Sequence, residues 1–307
     1  MQGSEPPGRS YQGGDGIHLI TMELSVIIIS YNVCDYLRQA LASVITATTG
    51  ISREIIVVDN HSSDGSVAMT RDEFRDVRLI ISESNEGYAA ACNKGIRASA
   101  GDFVLILNPD TVVESDAIKA AMIFMRSHPD AGAAGARMVN GDGNFLPESK
   151  RGFPSPVTSF FRLTGIGKLF PRSAFFNAYY LGHLSEYETC RADILTGAFM
   201  LIRREALDKA GLFDTAFFMY GEDIDLCWRI RKAGFYNYYL PGVGITHFKG
   251  RSSMIDREAS LRHFYDAMKI FACKHLGPLW HLPVKASVTI IESATITLMR
   301  IRRLIKK

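Results

Sequence analysis

Two acidic sites stand far apart in this chain and invite the same chemistry. Asn108-Pro109-Asp110 follows the apolar run Phe103-Val104-Leu105-Ile106-Leu107, and Gly221-Glu222-Asp223-Ile224-Asp225-Leu226-Cys227-Trp228-Arg229 has the form of a helix's first turns. A carboxylate at a strand's carboxyl end can hold a divalent cation, and one on a distant element can take a proton from a bound hydroxyl. Together they are the parts of a transfer in which a diphosphate leaves and a hydroxyl attacks. Each site also has a plain structural reading. Asn-Pro-Asp is a strong turn former by itself. Acids in a first turn complement the helix dipole, and Arg229, Arg231 and Lys232 sit at the other end. Yet Glu222, Asp223 and Asp225 directly follow Phe217-Phe218-Met219-Tyr220, a costly crowding of charge unless a cation or a substrate hydroxyl faces it.

Three further groups divide in the same way. His247, within Thr246-His247-Phe248-Lys249-Gly250-Arg251-Ser252, is either a satisfied structural histidine or a metal ligand, and Lys249 and Arg251 face either a diphosphate or solvent. Asn85-Glu86-Gly87-Tyr88-Ala89-Ala90-Ala91 opens a helix of small residues that serves close packing on a sheet or lets a nucleotide approach the backbone. Asp59 ends a strand, where it caps a turn or faces a ligand.

The elements that must position these groups alternate between residues 24 and 140. Strands are expected over 24–29, 54–58, 77–81 and 103–107, and helices over 35–47, 65–75, 88–99 and 115–127. Strands this apolar are covered on both faces, which implies a mainly parallel sheet with helical crossovers. Ligands bind such sheets outside the strands' carboxyl ends, where Ser30, Asn32, Asp59 and Asp110 fall. Residues 141–190 show no regular pattern and have the character of a binding loop or lid. Beyond them come a strand within 192–203, helices over 204–210 and 221–233, strands over 236–240 and 244–248, and a helix over 256–275.

Composition narrows the class. The 307 residues suffice for a full core, and a net charge of +3 is too small to argue for nucleic acid. Five cysteines without metal-binding spacing fit free thiols and a reducing, cytoplasmic setting. Residues 1–22 are polar and rich in Gly and Pro, which is expected of a disordered tail without a secretory signal. No membrane span is expected, because the best stretch, 282–299, is broken by Lys285 and Glu292. The end of the chain, 282–307, combines an apolar helical face with Arg300, Arg302, Arg303, Lys306 and Lys307, so peripheral contact with an anionic membrane at its inner face is the expected use.

Taken jointly, Ser25-Val26-Ile27-Ile28-Ile29-Ser30-Tyr31-Asn32, Val57-Val58-Asp59-Asn60, Asn85-Glu86-Gly87, Asn108-Pro109-Asp110, Thr196-Gly197-Ala198, Gly221-Glu222-Asp223-Ile224-Asp225 and His247 resemble the inverting family 2 glycosyltransferases of GT-A fold, and within them the rhamnosyltransferase-like branch. The resemblance covers about residues 24 to 275. It implies that Asp59 binds the nucleobase, with Ser30 and Asn32 in the same pocket and Asn85 and Gly87 beside the nucleotide. It implies that Asp110, helped by His247, holds Mg²⁺ or Mn²⁺. It implies that Asp223 is the general base, supported by Glu222 or Asp225. The first acid of the family's D-x-D motif is Asn108 here, which can bind ribose or metal through its carbonyl but carries no charge. The Q-x-x-R-W sequence of processive members is absent, so one sugar per encounter is implied.

The expected architecture is a GT-A domain over 23–255, with a nucleotide-binding half at 24–140 and an acceptor or catalytic half at 141–255, followed by C-terminal helices over 256–307. The implied partners are a nucleotide-diphosphate sugar, dTDP-rhamnose before UDP-sugars, and a surface-glycan or lipid-linked acceptor. A nucleotidyltransferase would need a Gly-rich phosphate loop that Ser30-Tyr31-Asn32-Val33-Cys34 does not supply, and a non-catalytic sugar-binding module would have no use for the acids.

Overall fold

Every side chain of β1 (Leu24–Ser30) is buried, as an unbroken apolar strand covered on both faces must be. The computed structural model describes residues 22–170, 173–248 and 257–305, so the tail expected at 1–22 falls outside it save for Met22, as do Lys249 and Arg251. After β1 come α1 (Cys34–Ala47), β2 (Arg53–Asp59), α2 (Ser66–Glu73), β3 (Arg78–Ile81), α3 (Tyr88–Arg97) and β4 (Phe103–Leu107). β2 and β4 flank β1, β3 lies outside β2, and all three pairings are parallel. Alternate residues of β1 therefore serve two cores. Val26 and Ile28 pack with Leu37, Leu41 and Val44 of α1, whereas Ile27 and Ile29 pack with Ala89, Cys92 and Ile96 of α3.

The second half is β5 (Thr111–Val113), α4 (Ala117–Ser127), β6 (Ala131–Val139), α5 (Pro156–Thr164), β7 (Cys190–Arg191), β8 (Phe199–Arg203), α6 (Arg204–Ala210), α7 (Glu222–Lys232), β9 (Tyr236–His247), α8 (Arg257–His275) and α9 (Pro278–Ile305). The strand order is β3-β2-β1-β4-β8-β6-β9-β5, with β7 also on β9. The sheet is mixed rather than mainly parallel, because β8 runs against β4 and β6, and β5 and β7 run against β9. The cause lies in the irregular segment. Leu107 at the end of β4 pairs with Phe199 at the start of β8, so residues 140–198 leave and re-enter the sheet at one rim, where β1 and β2 also end. Within that segment β7 returns to the sheet, where it pairs with Tyr238 and Tyr239 of β9. The two strands expected at 236–240 and 244–248 are one, with a register shift against β6 between Ala136 and Arg137.

α8 packs on the body through Ala267 and Phe271, which cluster with Phe217. α9 lies along α8: Lys269 pairs with Glu292 at 2.8 Å, Tyr265 Oη with Thr295 Oγ1 at 3.1 Å, and Arg300 with Glu258 at 2.6 Å. Val288 and Ile296 are buried beneath it. By length and composition alone Pro278–Ile301 is apolar enough to cross a membrane, even with Lys285 and Glu292 inside it.

Candidate active site

A cavity of about 670 Å³ opens at the rim, and Asn85, Gly87, Asn108, Asp110, Glu222, Asp223 and His247 all line it. Groups from both halves of the chain thus converge where the topology predicts. Ser30, Asn32, Asp59 and Asp225 do not line it, although their neighbours Ile29, Tyr31 and Asn60 do.

The strand pair β5–β9 makes the first cluster. His247 stands opposite Thr111, one residue beyond Asp110, and Phe248 N–H donates to the Asp110 carbonyl at 2.9 Å. This registers His247 Nε2 3.2 Å from Asp110 Oδ1 and 3.4 Å from Asn108 Nδ2. Tyr88 Oη donates to Asn108 Oδ1 at 3.0 Å, and burial pushes that phenol well above its usual range, so it keeps its proton. Asn108 consequently turns its carbonyl to Tyr88 and its amide to His247. The Asp110 and His247 side chains are almost covered, at 6% and 10% exposure. Two adjacent ligand atoms suit a hard cation that takes its remaining oxygens from water and phosphate. Among the described residues no group of three His, Cys, Asp or Glu could hold a metal alone, so the pair fits an ion shared with a diphosphate.

The second cluster sits at the start of α7. Tyr220 (φ 70°) and Gly221 (φ 80°) both adopt left-handed backbone, rare for a bulky residue such as Tyr220, and this sharp entry brings Glu222 and Asp223 to the cavity. Asp223 Oδ2 is held by Arg151 Nη2 at 2.6 Å, and Arg151 also donates to the Leu195 carbonyl at 3.0 Å. Glu222 is 7% exposed and its Oε2 has no hydrogen-bond partner. Burial, then the Asp223 charge, pushes its carboxyl up to about 8. The two neighbours therefore differ in role, one an arginine-oriented carboxylate and the other a carboxyl that keeps its proton near neutrality. Asp225 points elsewhere. Fully buried, it takes Arg229 at 2.8 Å, Lys274 at 2.6 Å and His275 at 2.8 Å, and so fastens α8 to α7.

A third group lies behind the cavity wall. Ser30 and Asp59 are register partners, both buried, and Ser30 Oγ and Asp59 Oδ2 have no hydrogen-bond partner. Leaving such atoms unpaired costs about 1–3 kcal/mol each, which a bound N–H or O–H would relieve. Asn32, at φ 53°, accepts from Ser63 N–H at 2.7 Å and ties the β1 and β2 loops together. Asn85 accepts from Asn60 at 2.8 Å and from Gly87 N–H at 3.0 Å. Gly87 has φ +86°, and a Cβ there would lie 2.6 Å from the Phe218 carbonyl oxygen, so no other residue fits.

Sequence reasoning did not find Arg151, Tyr88 or the α8 wall formed by Ser260, His263 and Phe264. Arg151 lies in the stretch without periodicity, and nothing local marks it apart from the chain's other arginines.

Comparison with known proteins adds three observations. The family described as Glycosyl transferase family 2 matches residues 25–211. The N-acetylglucosaminyl-diphospho-decaprenol L-rhamnosyltransferase of Mycobacterium tuberculosis is 30% identical over 277 residues, 87% of this chain and 89% of that protein. Among solved structures, a mannosyltransferase from Pyrobaculum calidifontis in complex with GDP-Man and Mn²⁺ superposes with a TM-score of 0.56 at 19% identity, covering 93% of this chain and 81% of that one. S. aureus TarS also gives 0.56, at 17% identity, and this chain spans 41% of its length. At such identities the two structures speak for the fold alone, which is GT-A.

Proposed function

The chain belongs to glycosyl transferase family 2, and from that premise we propose that it is an inverting, non-processive transferase moving one sugar, rhamnose from dTDP-rhamnose, to a hydroxyl of a lipid-linked or surface-glycan acceptor. The observation that carries the reading is that Asp223 and the Asp110–His247 pair line one cavity from separate elements. The choice of rhamnose leans on the mycobacterial relative, whose name states that sugar and a diphospholipid acceptor.

Asp110 and His247 would hold Mg²⁺ or Mn²⁺, which when bound supplies charge stabilisation to the departing diphosphate. Asp59 and Ser30, whose unpaired oxygens lie just behind the cavity wall, are the groups assigned to the nucleobase, which would have to displace that wall to reach them. Arg151 fixes the direction of Asp223, which takes the acceptor hydroxyl's proton. The acceptor oxygen bonds to the anomeric carbon as the bond from that carbon to the diphosphate breaks on the opposite face, so the centre inverts. Base catalysis of this kind is worth roughly 10²–10⁴-fold. The domain limits 23–255 and 256–307 belong to this proposal, as does a cytoplasmic site of action, with 282–307 on the inner face of the plasma membrane.

A thermal-shift panel of dTDP, UDP, GDP and CDP with and without Mn²⁺ tests it. A ligand at 100 times its dissociation constant should stabilise by about 2.7 kcal/mol. A metal-dependent shift with dTDP alone is expected. A shift with UDP alone moves the donor to a hexose, hexosamine or galactofuranose, and no shift with any nucleotide defeats the transferase reading.

A further inference from the structure

A second cavity, of about 550 Å³, adjoins the first. Phe218 and His263 line both, and their rings stack at 4.4 Å with planes 22° apart, so this pair is the partition. The rest of the lining carries Lys269, Lys274 and Lys285 with one carboxylate, Asp266, which Lys269 holds at 2.8 Å, and apolar Ile270. Lys269 and Lys274 already pair with carboxylates, whereas Lys285 on α9 has no carboxylate partner among the described residues. It is the cation left to meet an anion.

From this groove α9 runs on with an exposed stripe at helical spacing, Leu279, Leu282, Ile290, Leu298 and Ile301, on the side away from Val288 and Ile296. Residues 277–307 hold Lys285, Arg300, Arg302, Arg303, Lys306 and Lys307 against one acid, Glu292, which Lys269 neutralises. A second copy of this segment would set like charges together, whereas an anionic bilayer matches both the segment's net charge and its apolar stripe. Of this stripe, Leu282 stands one turn before Lys285 and adjoins it on the helix surface.

We propose that the second cavity seats the diphosphate of a lipid-linked acceptor, with Lys285 as its anchoring cation, the lipid chain leaving along α9 into the bilayer and the sugar passing the Phe218–His263 stack toward Asp223. The proposal rests on the reading that the acceptor is lipid-linked and names the surface that reads the lipid end. Recognition is by charge at the diphosphate and by apolar contact beyond it.

The test is equilibrium binding of farnesyl diphosphate to the full chain with the donor site saturated by nucleotide diphosphate and Mn²⁺, alongside farnesol and inorganic pyrophosphate. Farnesyl diphosphate should bind at least tenfold tighter than either, and Lys285→Glu should weaken it at least tenfold while nucleotide binding stays unchanged. Leu282→Asp with Ile290→Asp should lower binding to vesicles containing anionic lipid. An unchanged farnesyl diphosphate affinity in Lys285→Glu, or pyrophosphate binding as tightly as farnesyl diphosphate, overturns the proposal. A chain that binds farnesyl diphosphate through Lys285 yet no nucleotide would defeat the transferase reading and leave this subsite standing.

Discussion

Arg151 and Asp223, 72 positions apart in sequence, form a 2.6 Å ion pair with both side chains nearly covered. A carboxylate held in this way, with Oδ2 on Arg151 and Oδ1 accepting from the Ile224 N–H at 2.8 Å, has a fixed direction, which is what a positioned base needs. The arginine comes from residues 140–198, so that irregular segment also orients Asp223.

Replacing Asp223 with Asn keeps the shape and removes the proton acceptor proposed above. Turnover should fall roughly 10²–10⁴-fold while nucleotide affinity changes little. Initial-rate assays beside nucleotide titrations check this; undiminished turnover removes Asp223 from the role. Arg151→Met should cost activity and also stability, by about 3–5 kcal/mol, because it leaves a buried charge unpaired. Arg151→Lys should recover part of both.

Glu222 gives a pH-dependent prediction. Its carboxyl is raised to about 8, so the folded state holds a proton that the unfolded chain releases near 4.5. Stability from this group is full below about 4.5 and is lost as pH rises to about 8, by at most about 1.4 kcal/mol per unit. Glu222→Gln abolishes that loss. Its melting temperature relative to the parent should climb between pH 5 and 8, and parallel curves would contradict the assignment.

Asp225 behaves in the opposite sense. Burial works against its charge, but Lys274, Arg229 and His275 hold its carboxyl below the ordinary range. Its contribution is present above about 3.9 and is lost as pH falls through its lowered value. Acid should therefore loosen α8 from α7, and Asp225→Asn should do so at neutral pH. Hydrogen exchange along 257–275 reads this directly; unchanged protection there would refute it.

If Asp110 and His247 hold the cation as proposed, Asp110→Ala should abolish the Mn²⁺-dependent part of nucleotide stabilisation, and His247→Ala should reduce it. Equal shifts with and without Mn²⁺ in the parent would exclude the pair as a cation site.

Gly87→Ala should destabilise by about 1–3 kcal/mol or more, since the new methyl meets the Phe218 carbonyl and the left-handed backbone becomes strained. Chemical denaturation measures it.

Much of this was legible in the sequence, for identifiable reasons. The runs at 24–29 and 103–107 are rich in Val, Ile and Leu because both their faces are covered, so they announce themselves as strands. β6, Ala-Gly-Ala-Ala-Gly-Ala-Arg-Met-Val, gave no such sign. It is crowded enough that a Cβ on Gly132 would stand 2.6 Å from Ile230 and Phe235 atoms, and the crowding that demands small residues removes the strand signature. Asp110, Glu222, Asp223 and His247 were visible as acids and histidine at element ends. The burial of Asp225 against α8, the turn of the Asn108 carbonyl toward Tyr88 and the grip of Arg151 were not, because each depends on partners distant in the chain.

The placement of β9 also bears on how the chain is made. β9 pairs with β5, β6 and β7 and ends in His247. β1 to β4 can pair early during synthesis, but Asp110 gains its histidine only after residue 247 has left the ribosome. Until then β6 presents a bare edge, and a bare edge is a template for aggregation. A pause in translation just before residue 236 would hold the nascent chain in its most vulnerable form, with its parallel half built and Asp110 still without His247.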